Sequence, residues 1–164
     1  MYKAIVILNQ VLFFSMKFQS LISITLTTMK KFTHSLKVRS YELDSQGHVN
    51  YAVYLNYLEY ARVTALEQAG LRFDDYINRG INIVIVEVKI KYLAPATLGD
   101  ELEITLEGLK IGRTSATFKQ EIFNIKTGKK IVAAELVGVF INNEGKPIPI
   151  DEQFKKAFFE SPLK

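Results

Sequence analysis

The chain has 164 residues, a length that fits one domain, and its 21 basic and 17 acidic residues give a formal net charge of +4. It has no cysteine, which excludes disulfides, thiolate metal sites and a cysteine nucleophile, and only two histidines, His34 and His48. Outside residues 1–28, which carry two lysines and no acid, the balance is 19 basic to 17 acidic residues. This near balance argues against a nucleic-acid-binding protein.

The first 28 residues differ in composition from the rest of the chain. They hold apolar runs at 4–8 and 11–14 and no glycine, proline or acid. Lys17 interrupts the run of about 18 apolar residues that a membrane-spanning helix needs, and no Ala-x-Ala-like cleavage site follows. We predict that residues 1–28 are an apolar leader or an upstream extension outside the fold, with Met29 as the biological start. An interfacial segment and a secretory signal are the alternatives.

Residues 29–164 are predicted to form a single cytoplasmic domain without a stable membrane span. Apolar alternation predicts a strand from Phe32 to Tyr41. A helical period then runs over Asn50–Ala69, and Gly70 is a normal C-terminal stop. Apolar side chains occur around most of this helix, which is typical of a helix that is buried on most sides. We therefore expect a sheet to wrap around it.

The chain after the helix shows the pattern of strands. The predicted strands are Asn82–Tyr92, Glu101–Glu107, Thr114–Ile125 and Lys130–Ile141, with a hairpin turn at 126–129. Asp151 is predicted to cap a short last helix that reaches about Phe159. The expected fold is α+β, with a long central helix wrapped by a curved antiparallel β-sheet of five or six strands.

The polar segment before the helix contains Asp44, Gln46, His48 and Asn50. The first turn of a helix carries unpaired N–H groups and a partial charge of about +0.5. A carboxylate there tends to stay ionised, and free N–H groups can hold an oxyanion, so the segment suits attack on a carbonyl. The same residues also suit an Asx-turn at Asp44 and an N-cap at Asn50. The residues alone leave both interpretations open.

Two motifs resemble those of a known family. Residues 44–62, DSQGHVNYAVYLNYLEYAR, resemble the signature that opens the 4-hydroxybenzoyl-CoA thioesterase family, and residues 92–102, YLAPATLGDEL, are similar to its second landmark. The resemblance extends over about Phe32 to Asn143. It implies a hotdog fold, a homodimer or homotetramer, and cleavage of acyl-CoA or acyl-carrier-protein thioesters at the subunit interface.

The resemblance also implies roles for individual residues. Asp44 would act as general base or nucleophile, with His48 as a second catalytic residue. Substrate or oxyanion contacts would fall on Gln46, Gly47, Asn50, Tyr51 and Ala52. No metal or other cofactor is needed.

The motif varies within the family, and this chain matches one branch in part. Asp44, His48 and Asn50 match the branch with long-chain acyl-CoA and plant acyl-carrier-protein thioesterases. We therefore expect a fatty acyl-CoA substrate. Gln46 stands where some of those enzymes carry asparagine, and Tyr51 stands where another branch carries histidine. The alternatives are an acyl-carrier-protein or aromatic acyl-CoA thioesterase, or a non-catalytic hotdog subunit that binds acyl-CoA.

Overall fold

The computed structural model describes residues 30–160, so the prediction for residues 1–28 lies outside the described residues. Residues 30–160 form five strands and three helices, with a short 3₁₀-helix at Ser40–Glu42. The strands are β1 (Lys31–Lys37), β2 (Asn82–Tyr92), β3 (Glu101–Ile111), β4 (Ser115–Asn124) and β5 (Lys130–Ile141). The helices are α1 (Tyr51–Gln68), α2 (Phe73–Asn78) and α3 (Glu152–Phe159).

The five strands form one antiparallel sheet in the order β1-β3-β4-β5-β2. The prediction of an antiparallel sheet is confirmed with five strands, and no sixth strand occurs in residues 30–160. The two edges of the sheet are β1 and β2, and a bulge lies between Ile85 and Glu87 of β2. No helix in the described part of the chain is long and apolar enough to cross a membrane.

Helix α1 covers one face of the sheet and packs mainly on β1 and β3. Its buried residues are Tyr54, Tyr57, Leu58, Ala61, Ala65 and Leu66. They meet the inward residues of β3, where Leu102, Ile104 and Leu106 alternate with outward residues. The prediction that the helix is buried on most sides is wrong: Tyr51 is 70% exposed and Tyr60 59% exposed. The sheet covers the helix from one side only.

Several helices and strands begin or end at residues other than the predicted ones. The first strand stops at Lys37 rather than Tyr41, because the chain turns into the 3₁₀-helix at Ser40–Glu42. Strand β3 continues to Ile111, beyond the predicted end. Helix α2 was not predicted, since six residues are too few to show a helical period. The last helix agrees with the prediction, and Asp151 Oδ1 accepts the N–H of Phe154 at 2.8 Å.

Gly108 on β3 lies directly beneath α3. A Cβ atom at this position would lie 2.7 Å from the carbonyl oxygen of Phe158 and 2.7 Å from the Phe159 ring. We expect Gly108→Ala to lower the free energy of unfolding by about 1–3 kcal/mol, because the backbone of α3 must move. Urea unfolding measures the change. Gly112→Ala is the matched control, since its Cβ would have no contact closer than 3.4 Å; equal losses in both variants would contradict the expectation.

Candidate active site

The polar segment before α1 forms a narrow loop that backbone hydrogen bonds close at its base. The N–H of Asn50 donates to the carbonyl of Glu42 at 2.9 Å, and the N–H of Asp44 donates to the carbonyl of His48 at 2.8 Å. Between them, Leu43 and Val49 form an isolated β-bridge. Gly47 makes the tip possible, since its φ of 77° is a conformation that glycine adopts without strain. The loop therefore presents Asp44 next to the start of α1.

One oxygen of the Asp44 carboxylate holds this loop. Asp44 Oδ1 accepts the N–H of Gln46 at 2.8 Å and the N–H of His48 at 3.2 Å. The Asx-turn, which the sequence left open as an alternative interpretation of Asp44, is present in the structure. The side chain is exposed, and Oδ2 accepts no hydrogen bond from residues 30–160. The turn thus fixes the orientation of the carboxylate and leaves its second oxygen open to a ligand or water.

The first turn of α1 contains a backbone N–H group without a hydrogen-bond acceptor among residues 30–160. Asn50 is the N-cap, as predicted: its Oδ1 accepts the N–H of Ala52 at 2.9 Å. The N–H of Val53 donates to the carbonyl of Asn50 at 3.0 Å. The N–H of Tyr51 has no acceptor within the described part of the chain. Of the predicted oxyanion positions, Tyr51 therefore has a free donor, while the donor of Ala52 is engaged by the cap.

A shallow, open depression lies beside Asp44. It is lined by residues of the loop, of α1 and of the chain after β2: Asp44, Val49, Tyr51, Tyr54, Tyr92, Leu93, Ala94 and Pro95. The hydroxyl of Tyr92 donates to the carbonyl of Tyr51 at 3.1 Å, and the hydroxyl of Tyr54 accepts the N–H of Ala96 at 3.2 Å. Burial raises the pKa of Tyr54, and the nearby Asp100 and Asp44 carboxylates raise it further. Tyr54 is thus a neutral phenol at neutral pH.

The second motif lies directly against the first. The N–H of Val49 donates to the carbonyl of Ala96 at 2.9 Å, and His48 and Thr97 form an isolated β-bridge. Tyr54 and Tyr92 were not predicted as site residues, although both stand within the two motifs. The two motifs were the available signal: they lie about 50 positions apart in sequence, and residues of both line the depression beside Asp44.

A buried carboxylate anchors the loop to α1. Glu42 Oε2 accepts the hydroxyl of Tyr57 at 2.6 Å and the N–H of Arg39 at 2.7 Å, and Oε1 accepts the Arg39 guanidinium at 2.6 Å. Burial acts to raise the pKa of Glu42, but the hydrogen bonds from Arg39 and Tyr57 outweigh it and hold the pKa below its usual range. Glu42 is therefore ionised at neutral pH, and the base of the Asp44 loop is tied to the second turn of α1.

The remaining predicted residues contribute mainly backbone groups. His48 is half-buried and bonds to Asp44 and Thr97 through its main chain. Gln46 and Gly47 are exposed at the tip of the loop. No side-chain hydrogen bond of His48 or Gln46 occurs among residues 30–160. The structure brings the seven predicted residues into one loop and helix start, and the roles of the His48 and Gln46 side chains stay predictions.

Comparison with known proteins identifies the family of this chain. The family model described as "Thioesterase-like superfamily" matches residues 38–158. The chain is 34% identical over 126 residues to the acyl-acyl carrier protein thioesterase ATL3, chloroplastic, of Arabidopsis thaliana. The aligned region covers 75% of this chain and 65% of that protein. It is 35% identical over 102 residues to the long-chain acyl-CoA thioesterase FadM of Escherichia coli. That aligned region covers 62% of this chain and 76% of that protein.

Solved structures share the fold. Slr0204, a 1,4-dihydroxy-2-naphthoyl-CoA thioesterase from Synechocystis, matches with a TM-score of 0.74 at 23% identity and covers 78% of this chain and 95% of that chain. The probable thioesterase YbaW from Escherichia coli matches with a TM-score of 0.68 at 31% identity. This match covers 77% of this chain and 95% of that chain. The matched region spans 65% of the length of the Arabidopsis relatives. Because the family match takes in most of the chain, including the Asp44 loop and all of α1, the chain belongs to the thioesterase-like superfamily, the hotdog thioesterases that its two motifs resemble.

Proposed function

We propose that this chain hydrolyses acyl thioesters to a free acid and a thiol at the depression beside Asp44. The observation that carries the proposal is the pairing of two groups at one helix start: an exposed carboxylate with an open oxygen, and the unpaired N–H of Tyr51. The relatives named as thioesterases support the reaction class. Together these observations favour hydrolysis over binding alone.

The chemistry needs few groups, since a thioester carbonyl is electrophilic and a thiolate leaves readily. The Tyr51 N–H would donate to the carbonyl oxygen, and the positive end of α1 would stabilise the charge that develops there. Asp44 Oδ2 would take a proton from the attacking water, or would attack the carbonyl itself and form an anhydride that water then hydrolyses. In either case the carbon–sulfur bond breaks and the thiolate takes up a proton. Asn50 would keep the helix start in place through its cap on Ala52.

The proposed substrate is a fatty acyl-CoA, with an acyl-carrier-protein thioester as the second candidate. ATL3 is named as an acyl-acyl carrier protein thioesterase, and FadM is named as a long-chain acyl-CoA thioesterase. Thiol release from purified protein, measured with short, medium and long acyl groups on both carriers, ranks the substrates. A non-catalytic acyl-CoA-binding subunit would instead gain thermal stability from acyl-CoA and release no thiol at any chain length. That result would refute the proposed hydrolysis.

The site is proposed to function in a homodimer or in a tetramer of such dimers, joined through β2. This strand of 11 residues forms an edge of the sheet, and Val86 on it is 61% exposed. Long, apolar edge strands readily pair with another chain. In an antiparallel pairing about a twofold axis at Val88, Glu87 of one copy would stand opposite Lys89 of the other, so the strand is self-complementary in charge.

Charge exchange at this edge tests the assembly. We expect Glu87→Lys to raise the dimer dissociation constant about tenfold, because like charges then face each other at both symmetric positions. Sedimentation velocity over a range of concentrations measures the constant. The double variant Glu87→Lys/Lys89→Glu restores opposite charges and is expected to recover the dimer. A wild-type protein that stays monomeric, or a double variant no better than the single one, would contradict pairing through β2.

A further inference from the structure

A second cavity lies between α1 and the sheet, remote from Asp44. Its volume is about 220 Å³, and its walls come from α1, the start of α2, α3 and the inner face of the sheet. Most lining side chains are apolar, among them Leu66, Phe73, Ile85 and Phe118. The exceptions are Glu59 and Arg62, which lie about one turn apart on α1. An apolar cavity with a few convergent polar groups is the usual form of a small-molecule site.

Exposed apolar side chains of α1 and β2 lie between the Asp44 depression and this cavity. Tyr92 of β2 lines the depression, and Ile85 of the same strand lines the cavity. On β2 between these two residues, Val88 is 40% exposed. On α1, Tyr51, Leu55 and Glu59 recur every four residues along one helical face. Leu55, which lies between the two places on this face, is 42% exposed.

The Arg62 guanidinium at the cavity wall has hydrogen-bond donors to spare. Its Nη1 donates to Gln120 Oε1 at 2.8 Å, and its Nη2 donates to the Glu59 carboxylate. Gln120 is fully buried and is held in turn by the carbonyl of Leu58 at 3.0 Å. A guanidinium has five N–H donors, so three of those of Arg62 have no acceptor among residues 30–160. A ligand oxygen in the cavity could accept them.

The distance along α1 sets the length of a ligand that reaches both places. At about 1.5 Å per residue, Glu59 lies about 12 Å and Arg62 about 16 Å from Tyr51 along the helix axis. An extended alkyl chain advances about 1.25 Å per bond if its bonds are about 1.5 Å and its angles about 111°. An acyl chain whose carbonyl lies at the Tyr51 N–H would therefore bring an atom about ten bonds away level with Glu59, and an atom about thirteen bonds away level with Arg62.

We propose that an acyl chain runs from the Asp44 depression between α1 and β2 into this cavity. The path would select acyl groups of this length that carry an uncharged oxygen at the far end, and Arg62 would donate to that oxygen. The proposal rests on the proposed function only for the position of the thioester. Glu59 already neutralises Arg62, so a hydroxyl or carbonyl fits better than a carboxylate, which Glu59 would repel. Arg62 and Glu59 are thus specificity-determining residues for the distal end of the substrate.

The test separates binding from hydrolysis. S-alkyl-CoA thioethers lack the reactive carbonyl, and three of equal length would end in a methyl, a hydroxyl or a carboxylate. Calorimetric titration of the full chain is expected to show the hydroxyl-ended thioether binding about tenfold more tightly than the methyl-ended one. In Glu59→Gln, which removes the competing charge from an exposed side chain, the carboxylate-ended thioether is expected to gain about tenfold. Glu67→Gln, the same change two turns further along α1, is the control and should leave all three affinities unchanged.

Equal affinity for the hydroxyl and methyl ends in the wild type would overturn this inference, and so would no binding of any thioether. An unchanged carboxylate affinity in Glu59→Gln would do the same. Thiol release from the matching thioesters is measured separately. End-group selection without thiol release would refute the thioesterase proposal and leave this inference standing. Hydrolysis without end-group selection would refute this inference alone.

Discussion

Asp44→Asn is expected to lower kcat for thioester hydrolysis at least about 100-fold, the usual contribution of a positioned acid or base. Asparagine keeps an oxygen that accepts the N–H groups of Gln46 and His48, so the Asx-turn and the loop should remain. The variant loses only the carboxylate that would take a proton from water or attack the carbonyl. Initial rates of thiol release at saturating substrate measure the effect.

Two further variants separate chemistry from loop structure. Asp44→Ala removes both the carboxylate and the turn, and it is expected to lose activity and some thermal stability. Asp75→Asn makes the same change in charge on the exposed surface of α2 and should retain the wild-type rate. If Asp44→Asn hydrolyses as fast as the wild type while Asp44→Ala is inactive, Asp44 is a structural residue of the turn and another group must be the base.

Tyr51→Pro is expected to lower kcat about 100- to 1,000-fold, the cost of removing one oxyanion donor. Proline lacks the backbone N–H that would polarise the thioester, yet the first helical position tolerates proline well. Asn50 before it has a ψ of 139°, which suits a residue preceding proline. The carbonyl of residue 51 remains to accept the Tyr92 hydroxyl. The fold should therefore survive the loss of the donor.

Tyr51→Ala is the matched control for this prediction. It also removes the phenol, which is largely exposed, but it keeps the N–H. We expect kcat of Tyr51→Ala within about threefold of the wild type, because the N–H donor remains. Loss of a side chain that lines the depression would instead raise KM. Circular dichroism would check that both variants retain α1. A fully active Tyr51→Pro would show that the oxyanion donor lies elsewhere.

Local patterns in the sequence predicted much of this fold. Strands β2 and β5 have the predicted bounds, because long runs of β-branched residues between turns are a local signal. The Asn50 cap and the Gly70 stop are equally local and placed the ends of α1 to within about one residue. The loop from Asp44 to Asn50 could likewise be chosen as the candidate site, because its carboxylate and amides stand immediately before a helix.

Features that depend on distant contacts were not predicted. The rings of Tyr54 and Tyr92 are in contact beside Asp44, where the two motifs come together through the hydrogen bond from Val49 to Ala96. The apolar pattern of α1 could not tell burial against the sheet from an exposed apolar face, so the exposure of Tyr51 was missed. The Arg62 guanidinium is held at the cavity wall by Gln120, which lies 58 residues away in sequence. None of these has a periodic or local signature.

The Asp44 carboxylate is proposed to carry out the chemistry without being needed for binding. Single-turnover reaction of excess protein with a long-chain acyl-CoA, monitored for both thiol and free acid, separates a role in chemistry from a role in binding. The wild type should release one thiol and one acid per thioester. Asp44→Asn should bind the same thioester with similar affinity and react at least about 100-fold more slowly. Equal single-turnover rates in the two proteins, or tight binding by the wild type with no release of thiol, would show that the Asp44 carboxylate is not the reacting group.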